Sequence, residues 1–577
     1  MKKWNDEDIL ITILRNRGIS SKKDIEAFLH PKHPDQLSLA DVSLDEKSMK
    51  KAITRILKAI KTKESIVVYT DYDADGLTGG AIVWETVYKL GGRIMPYVPH
   101  RVEEGYGLTE KGIDAVLKNF HPTLLITVDH GITAFKEIEY AESKGMDVIV
   151  TDHHMKPKKL PDALIIHTTK LSGAGVAFFL AKELITRVIA IRQPAEKQSL
   201  QLNNVPMQQF LYELLPLAAI GTIADMMPLL GTNRSIAKYG LEELRKTNRV
   251  GLLSLMEEAG VRKDQLTAYS ISHMLAPRLN AMGRMEHALD GLRLLCTNSR
   301  EKAVQLASKL GLTNRERQQL TLDTTIHAKE YVQREYGETI KKKLLFVAHQ
   351  SYSQGIIGLV AGKLVETYYL PSIVVSIGED ISKASARSIK GFDVVEAIRS
   401  FSHLLVDVGG HPLAAGFTVK TEKLQELQEQ LEKLAQKEIT DAMLKRPVPI
   451  DLELPLGEVT EELYEQLQQL QPFGFGNPDP VFLSKGVKVM DFRKIGLDGK
   501  HLKFRISSNN RATRFDSKFS ARRVKQCNNA TFDAVFFNHA SFSDDLKPDQ
   551  PVDIAYTIDL NEWNGNRQLQ LKVKDIQ

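Results

Sequence analysis

Three carboxylates at alternate positions stand out first, in Asp71-Tyr72-Asp73-Ala74-Asp75-Gly76. Acids this close repel one another, so a fold gains nothing by gathering them unless a cation neutralises the site. The same grammar recurs downstream. Asp129 follows Leu124-Leu125-Ile126-Thr127-Val128, Asp152-His153-His154 follows Asp147-Val148-Ile149-Val150-Thr151, and Asp225 follows the apolar run Leu217–Ala224. Turn and cap chemistry accounts for any one of these alone. Four acid-bearing ends, one with two histidines, exceed it. Asp73, Asp75, Asp129, His153 and Asp225 offer mostly oxygen ligands with one imidazole, a set that suits Mn²⁺ or Mg²⁺. They suffice for two ions about 4 Å apart with one carboxylate bridging, the arrangement that activates water on one side of a phosphorus and stabilises the leaving oxygen on the other. Asp129 is the candidate bridge. His154, beside a ligand but turned differently on an extended backbone, is placed to touch a phosphate oxygen or orient the nucleophile.

Four strands must carry these acids: Ser65–Thr70, Leu124–Val128, Asp147–Thr151 and Leu217–Ala224, each a short apolar run. Strands alternating with helical stretches predict a parallel sheet, with the functional crevice beyond the strand carboxyl ends. Gly76 to Leu90 reads as the helix after the first strand, and residues 46–63 as a basic helix with a solvated face. Arg101 and Tyr106, on a loop with two glycines, suit phosphate and base contacts. The small residues of Leu171–Ala177 either cradle a phosphate or permit close packing. Ala276–Met285 reads as an Arg/Asn-rich break. The domains expected are a helical segment over 1–45, a catalytic α/β domain over 46–299, a linking helix over 300–335, a second α/β domain over 336–445 and a small OB-like β-barrel over 446–577. In the second unit, small residues around Arg387 and His411 predict a backbone-lined pocket with a few polar anchors. In the barrel, residues 493–525 carry eleven Lys or Arg against Asp498 and Asp516, interleaved with Phe504, Phe515 and Phe519. That pattern fits single-stranded nucleic acid, or equally a solvated β face over core phenylalanines.

A net charge of +5 on 577 residues keeps basic character local. Two cysteines far apart, Cys296 and Cys527, argue against a disulfide framework or a thiolate metal site. The N-terminal segment reads as a mixed amphipathic stretch with acids and Arg15 rather than a signal peptide, and no apolar run nears the ~20 residues of a membrane span. A soluble, cytoplasmic protein is expected.

Asp71–Gly76, Thr127-Val128-Asp129, Asp152-His153-His154 and Gly221-Thr222-Ile223-Ala224-Asp225 resemble the four motifs of the DHH phosphoesterases, and Gly409-Gly410-His411 resembles their DHHA1 domain. Val98-Pro99-His100-Arg101, Glu104-Gly105-Tyr106-Gly107, Arg278-Leu279-Asn280-Ala281-Met282-Gly283-Arg284, Ser385-Ala386-Arg387-Ser388 and Pro472-Phe473-Gly474-Phe475-Gly476-Asn477-Pro478 are similar to the RecJ family of single-strand-specific 5′→3′ exonucleases, in a compact bacterial or phage-type form. The resemblance implies two-metal hydrolysis of single-stranded DNA to 5′-mononucleotides, in repair and recombination. It implies Asp73, Asp75, Asp129, His153 and Asp225 as metal ligands, with Asp71 a further one. It implies DNA contacts from Arg101, Tyr106, Arg278, Ser385, Arg387 and His411, the last three near the terminal phosphate. It also implies a monomer supplied with DNA by a helicase or single-strand-binding protein. Thr70 and His130 stand where the family often has Gly and Cys, and neither change removes a ligand. Two other readings use the same core: a small-substrate phosphoesterase, which needs no basic barrel, and a scaffold on a dead core, which would have lost ligands.

Overall fold

The computed structural model describes residues 8–101, 103–191, 201–202, 205–508, 530–544, 546–563 and 566–577. The first sheet is all parallel. It comprises β1 (Ser65–Thr70), β2 (Arg93–Tyr97), β3 (Leu124–Val128), β4 (Asp147–Asp152) and β5 (Leu164–His167), in the order β2-β1-β3-β4-β5. β3 is buried along its whole length, and β1 from its second residue on, as parallel strands covered on both faces require. The register sets Thr70 beside Val128 and Val128 beside Thr151. Asp71, Asp129 and Asp152 therefore reach the same edge together. Asp71 N still donates to Val128 O at 3.2 Å and Asp129 N to Thr151 O at 2.9 Å, so the ladder runs into the acids.

The fourth expected strand is a helix. Leu217–Ala224 is the last part of the helix Met207–Ala224, buried from Leu214 to Ile223 and packed on the helices Ala74–Lys89 and Gly173–Ile191. A short apolar run in a strand cannot be told from one in a buried helix by periodicity, and here it continues an apolar segment from Met207. Asp225 thus arrives from a helix end rather than a strand end. Nor is Ala276–Met285 a break: it is a helix, continuous with the helical turns Ala268–Ser270 and Ile271–Leu275, the latter a π-turn in which Ala276 N donates to Ile271 O just ahead of Pro277.

A minimal ribbon pairs β6 (Gln201–Leu202) with β7 (Val205–Pro206). The long helix Arg300–Tyr336, capped by Ser299, leads to a second sheet. That sheet pairs β8 (Leu345–His349) and β9 (Ser372–Ser376) in parallel, then adds β10 (Ile381–Arg387), β12 (Ala414–Lys420) and β11 (Leu405–His411) antiparallel. In the third unit β13 (Leu452–Glu453) lies on β14 (Phe482–Ile495), which continues through β15 (His501–Ser507), β16 (Thr531–Phe536), β18 (Asn566–Ile576) and β17 (Pro551–Trp563). β14 also pairs with β17, which closes the barrel.

Phe504 is buried inside this barrel and presents no ring to a ligand. Of the basic residues beside it, Lys503 pairs with Asp533 at 2.7 Å and Lys500 with Asp498 at 2.6 Å. Phe515, Phe519 and the basic residues from Arg511 to Lys525 lie outside the described residues. The N-terminal helices Ile9–Asn16 and Lys22–Leu29 do not form a core of their own. Leu10, Ile13, Leu14, Phe28 and Leu29 share one with Leu454, Leu470 and Phe482 of the third unit. Arg17 reinforces this junction with bonds of 2.7 and 3.0 Å to Asp451.

Candidate metal centre

Each acid is fixed by a local device. Asp73 caps the helix Ala74–Lys89, its Oδ1 accepting from Asp75 N at 2.9 Å and Gly76 N at 3.0 Å. Asp75 sits in the first turn and accepts from Gly173 N at 2.6 Å and Ala174 N at 3.0 Å. The small-residue helix start therefore holds a carboxylate of the chain itself. A Cβ on Gly173 would stand 2.6 Å from Asp129, and one on Gly221 2.3 Å from Asp75 Oδ1, so both glycines are demanded by the acids. Asp129 leaves β3 with φ 69°, in the left-handed region that Asp tolerates better than most residues. His153 Nε2 lies 3.1 Å from Asp129 Oδ1, 3.6 Å from Asp225 Oδ2 and 3.9 Å from Asp75 Oδ2.

These atoms form three sets, each within 4.8 Å: Asp129 with His153 and His154, Asp75 with His153 and Asp225, and Asp71 with Asp73 and Asp129. Asp129 Oδ1 is buried and lacks hydrogen-bond geometry to any described residue, His153 included. Burial, then the charge of neighbouring Asp73, lifts Asp75 to about 7; burial, then Asp75, lifts Asp225 to about 8. Asp71 and Asp129 are pushed well above the carboxylate range, by burial and then by Asp73 and Asp75 respectively. Four acids that cannot ionise together, an orphaned oxygen and one imidazole form the donor set of a hard divalent cation. Mn²⁺ or Mg²⁺ fits these residues. Burial, then the nearby His154, keeps His153 down at about 4, so its imidazole is neutral as a ligand must be. Burial lowers His154 as well, but a 2.8 Å hydrogen bond to Asp152 prevails and raises it to about 9. Asp152, though buried, falls below the carboxylate range because His154 and the Ile132 N–H stabilise its charge.

A cavity of about 230 Å³ opens over this edge. Asp71, Asp73, Asp129 and Asp225 line it, and so do Arg101, Tyr106, His154, Asn280 and Arg284. Arg101 lies 5.1 Å over the Tyr72 ring, and the Tyr106 hydroxyl is 3.5 Å from His154 Nε2. Glu104 ties down the loop carrying both, accepting from His100 N at 3.1 Å and the Tyr97 hydroxyl at 2.6 Å. Arg278 is not brought to the cavity. It is half-buried in an ion pair with Glu258 and donates to Met274 O at 2.7 Å. Asn280 and Arg284, four positions apart on one helical face, are the residues of that segment that reach the wall, a spacing the reading as a break conceals. Asn280 Oδ1 also accepts from Ala74 N at 2.6 Å and so steadies the acidic turn.

Arg284 gathers positive charge. Its pKa falls to about 10 through burial and then through Arg101, Arg317 and Arg387. Arg387 donates to Ser385 Oγ at 3.2 Å and Ala386 O at 2.8 Å, at the end of β10. His411, exposed at the end of β11, acts electrostatically on His153. Ser385, Arg387 and His411 do not line this cavity. Thr70 and His130 are buried beneath the centre, His130 with Nε2 3.1 Å from Tyr69 O.

Residues 65–222 match the N-terminal domain of the DHH family, residues 341–437 the DHHA1 domain, and residues 450–519 and 515–575 the RecJ OB domain. The single-stranded-DNA-specific exonuclease RecJ of Bacillus subtilis (strain 168) is 34% identical over 579 residues, covering 98% of this chain and 67% of that protein. The protein of the same name from Haemophilus influenzae is 30% identical, covering 99% of this chain and 96% of its own length. The crystal structure of RecJ in complex with Mn²⁺ from Thermus thermophilus superposes with a TM-score of 0.78 at 28% identity, over 99% of this chain and 76% of that one. With three family domains in order and identity sustained along almost its whole length, the chain belongs to the RecJ family of DHH phosphoesterases.

Proposed function

We propose that the chain is a single-strand-specific DNA exonuclease that works from the 5′ end and releases 5′-mononucleotides with two divalent ions, Mn²⁺ or Mg²⁺. Asp73, Asp75, Asp129, His153 and Asp225 are its ligands, with Asp71 a further one and Asp129 shared between the ions. When bound, the two ions supply a nucleophile at neutral pH and charge for the leaving oxygen. The observation that carries the reading is that buried acids and the guanidinium groups of Arg101 and Arg284 share one cavity. A phosphodiester is the group that both would engage, through cations held by the acids and through bidentate arginine contacts.

His154, kept protonated by Asp152, offers a donor to a phosphate oxygen. Tyr106, with its hydroxyl beside His154 Nε2, supplies a face for the terminal base. Arg387, Ser385 and His411 are assigned to the 5′ phosphate. The barrel, matched to the RecJ OB domain, guides the strand beyond. A monomeric state, a cytoplasmic place, and a helicase or single-strand-binding protein that delivers the strand belong to the same reading. Among the described residues no helix is long and apolar enough to cross a membrane.

Strands labelled at the 5′ or the 3′ end, incubated with Mn²⁺, Mg²⁺ or EDTA, test it. Labelled mononucleotide should appear at once from the 5′ label and only late from the 3′ label, and EDTA should abolish both. Internal cuts, or digestion from the 3′ end, would overturn the assignment.

A further inference from the structure

The segment that follows Asp225 is pinned from another part of the chain. The helix Met207–Ala224 ends with Met226 N donating to Ile223 O and Met227 N to Thr222 O, both at 3.2 Å. This is the Schellman closure, but its left-handed position, φ 55°, is held by Met226 where glycine is usual. The turn thus adopts a conformation its own residue type disfavours. Downstream, Leu229 N donates to Phe475 O at 2.8 Å. A Cβ on Gly474 would stand 2.7 Å from Leu229 Cδ1, and one on Gly476, itself at φ 75°, would stand 2.9 Å from Pro228 Cβ and 3.0 Å from its Cα.

The loop is braced from behind in its turn. The buried Asn477 donates through Nδ2 to Leu470 O and Pro472 O, both at 2.9 Å, and accepts from Arg17 Nη1 at 2.9 Å. Asp225 differs from Asp73 and Asp75 in needing such help. Asp73 and Asp75 are each held by two backbone N–H groups, whereas among the described residues the Asp225 carboxylate accepts no hydrogen bond and lies 3.6 Å from His153.

We infer that the loop Pro472–Pro478 is a positioning element of the metal centre: by fixing Pro228 and Leu229, at the end of the tight turn that follows Asp225, it sets the direction in which Asp225 presents its carboxylate. This rests on Asp225 being a metal ligand. Outer partners that orient a ligand contribute about 10–100-fold to metal affinity.

The test uses the full-length chain with Gly476→Ala, titrated with Mn²⁺ by electron paramagnetic resonance, while hydrolysis of a labelled strand is followed over the same range. One ion should bind about tenfold or more weakly. Half-maximal activity should move to correspondingly higher Mn²⁺, and saturating Mn²⁺ should restore the rate with KM for the strand unchanged. Leu229→Val, which only thins the contact, should shift both midpoints in the same direction by less, and it carries the test if Gly476→Ala does not fold. A folded variant with the parent's Mn²⁺ affinity overturns the inference. So does a loss of rate that saturating Mn²⁺ fails to restore, which is what a merely structural role produces. Asp225→Ala checks the underlying reading separately: if it binds Mn²⁺ as the parent does, Asp225 is not a ligand, whatever the loop does.

Discussion

Replacing Arg284 with methionine should make the protein more stable and much less active. The guanidinium reaches the cavity beside Asp73, and Nη1 donates to Gly355 O at 3.1 Å. Burial and three nearby arginines bring its pKa down from the usual guanidinium range to about 10, so folding strains the charged form. At ~1.36 kcal/mol per decade that gap corresponds to about 3 kcal/mol. Water in the cavity and the lost bond to Gly355 reduce the net gain on substitution to about 1–2 kcal/mol. A basic group with a depressed folded pKa costs stability in full below about 10, and the cost fades only as pH climbs above that toward the ordinary guanidinium range. At neutral pH the whole gain should therefore appear, as a higher urea midpoint for Arg284→Met. The same change removes a charge-assisted phosphate contact of ~1.5–3 kcal/mol, or about 10–150-fold in kcat/KM on a single strand. The two measurements must move in opposite directions. Lower stability with unchanged kcat/KM would show that Arg284 serves the fold and not the substrate.

Asp129→Ala should abolish hydrolysis, while binding of a single strand in EDTA persists; activity within tenfold of the parent would remove Asp129 from the centre. In EDTA, stability to urea should fall as pH rises from about 4 to about 8, because Asp75 and Asp225 hold protons more tightly folded, at about 7 and about 8, than unfolded. Mn²⁺ should flatten that slope, and a slope untouched by Mn²⁺ would mean that the acids bind no ion. Arg387→Ala should slow cleavage of 5′-phosphorylated strands about 10–150-fold more than that of 5′-hydroxyl strands, and equal losses would leave the phosphate to another group.

The acidic edge is legible in the sequence because β1, β3 and β4 announce themselves as short β-branched runs, each stopped by an acid. Asp225 is legible as a ligand but not in its setting, since an apolar run of eight residues serves a strand or a buried helix equally. Arg278 attracts notice as the first arginine of its motif, yet helix geometry turns it to Glu258 and sends Asn280 and Arg284 to the cavity. A Pro and a Gly there mimic a break; the chain stays helical by taking a π-turn over Ile271–Leu275 just before the Pro, and Gly283 is needed because a Cβ would meet Tyr72 O at 2.7 Å. The partnership of the N-terminal helices with the barrel has no local signature. An amphipathic helix specifies that one face will be covered and not what will cover it.

That partnership bears on how the protein is made. Arg17 and Asp451 are 434 positions apart, and Leu10, Leu14 and Phe28 find their core only among residues from Leu454 onward. At ~5–20 residues per second a ribosome needs roughly 20–90 s to cover that distance. Throughout that interval the apolar residues of the first helix lack the barrel core they share, while Phe28 of the second can already meet the Arg234 guanidinium, 3.8 Å from its ring, and the parallel sheet can assemble. Arg234 waits about half as long, because its acceptors include the carbonyls of Leu470 and Gln471, 236 and 237 positions on. Completion of the last barrel strands is therefore the event that secures both the oldest and the youngest parts of the chain. Nascent chains stalled before residue 450 should engage ribosome-associated chaperones through the apolar faces of their first helices.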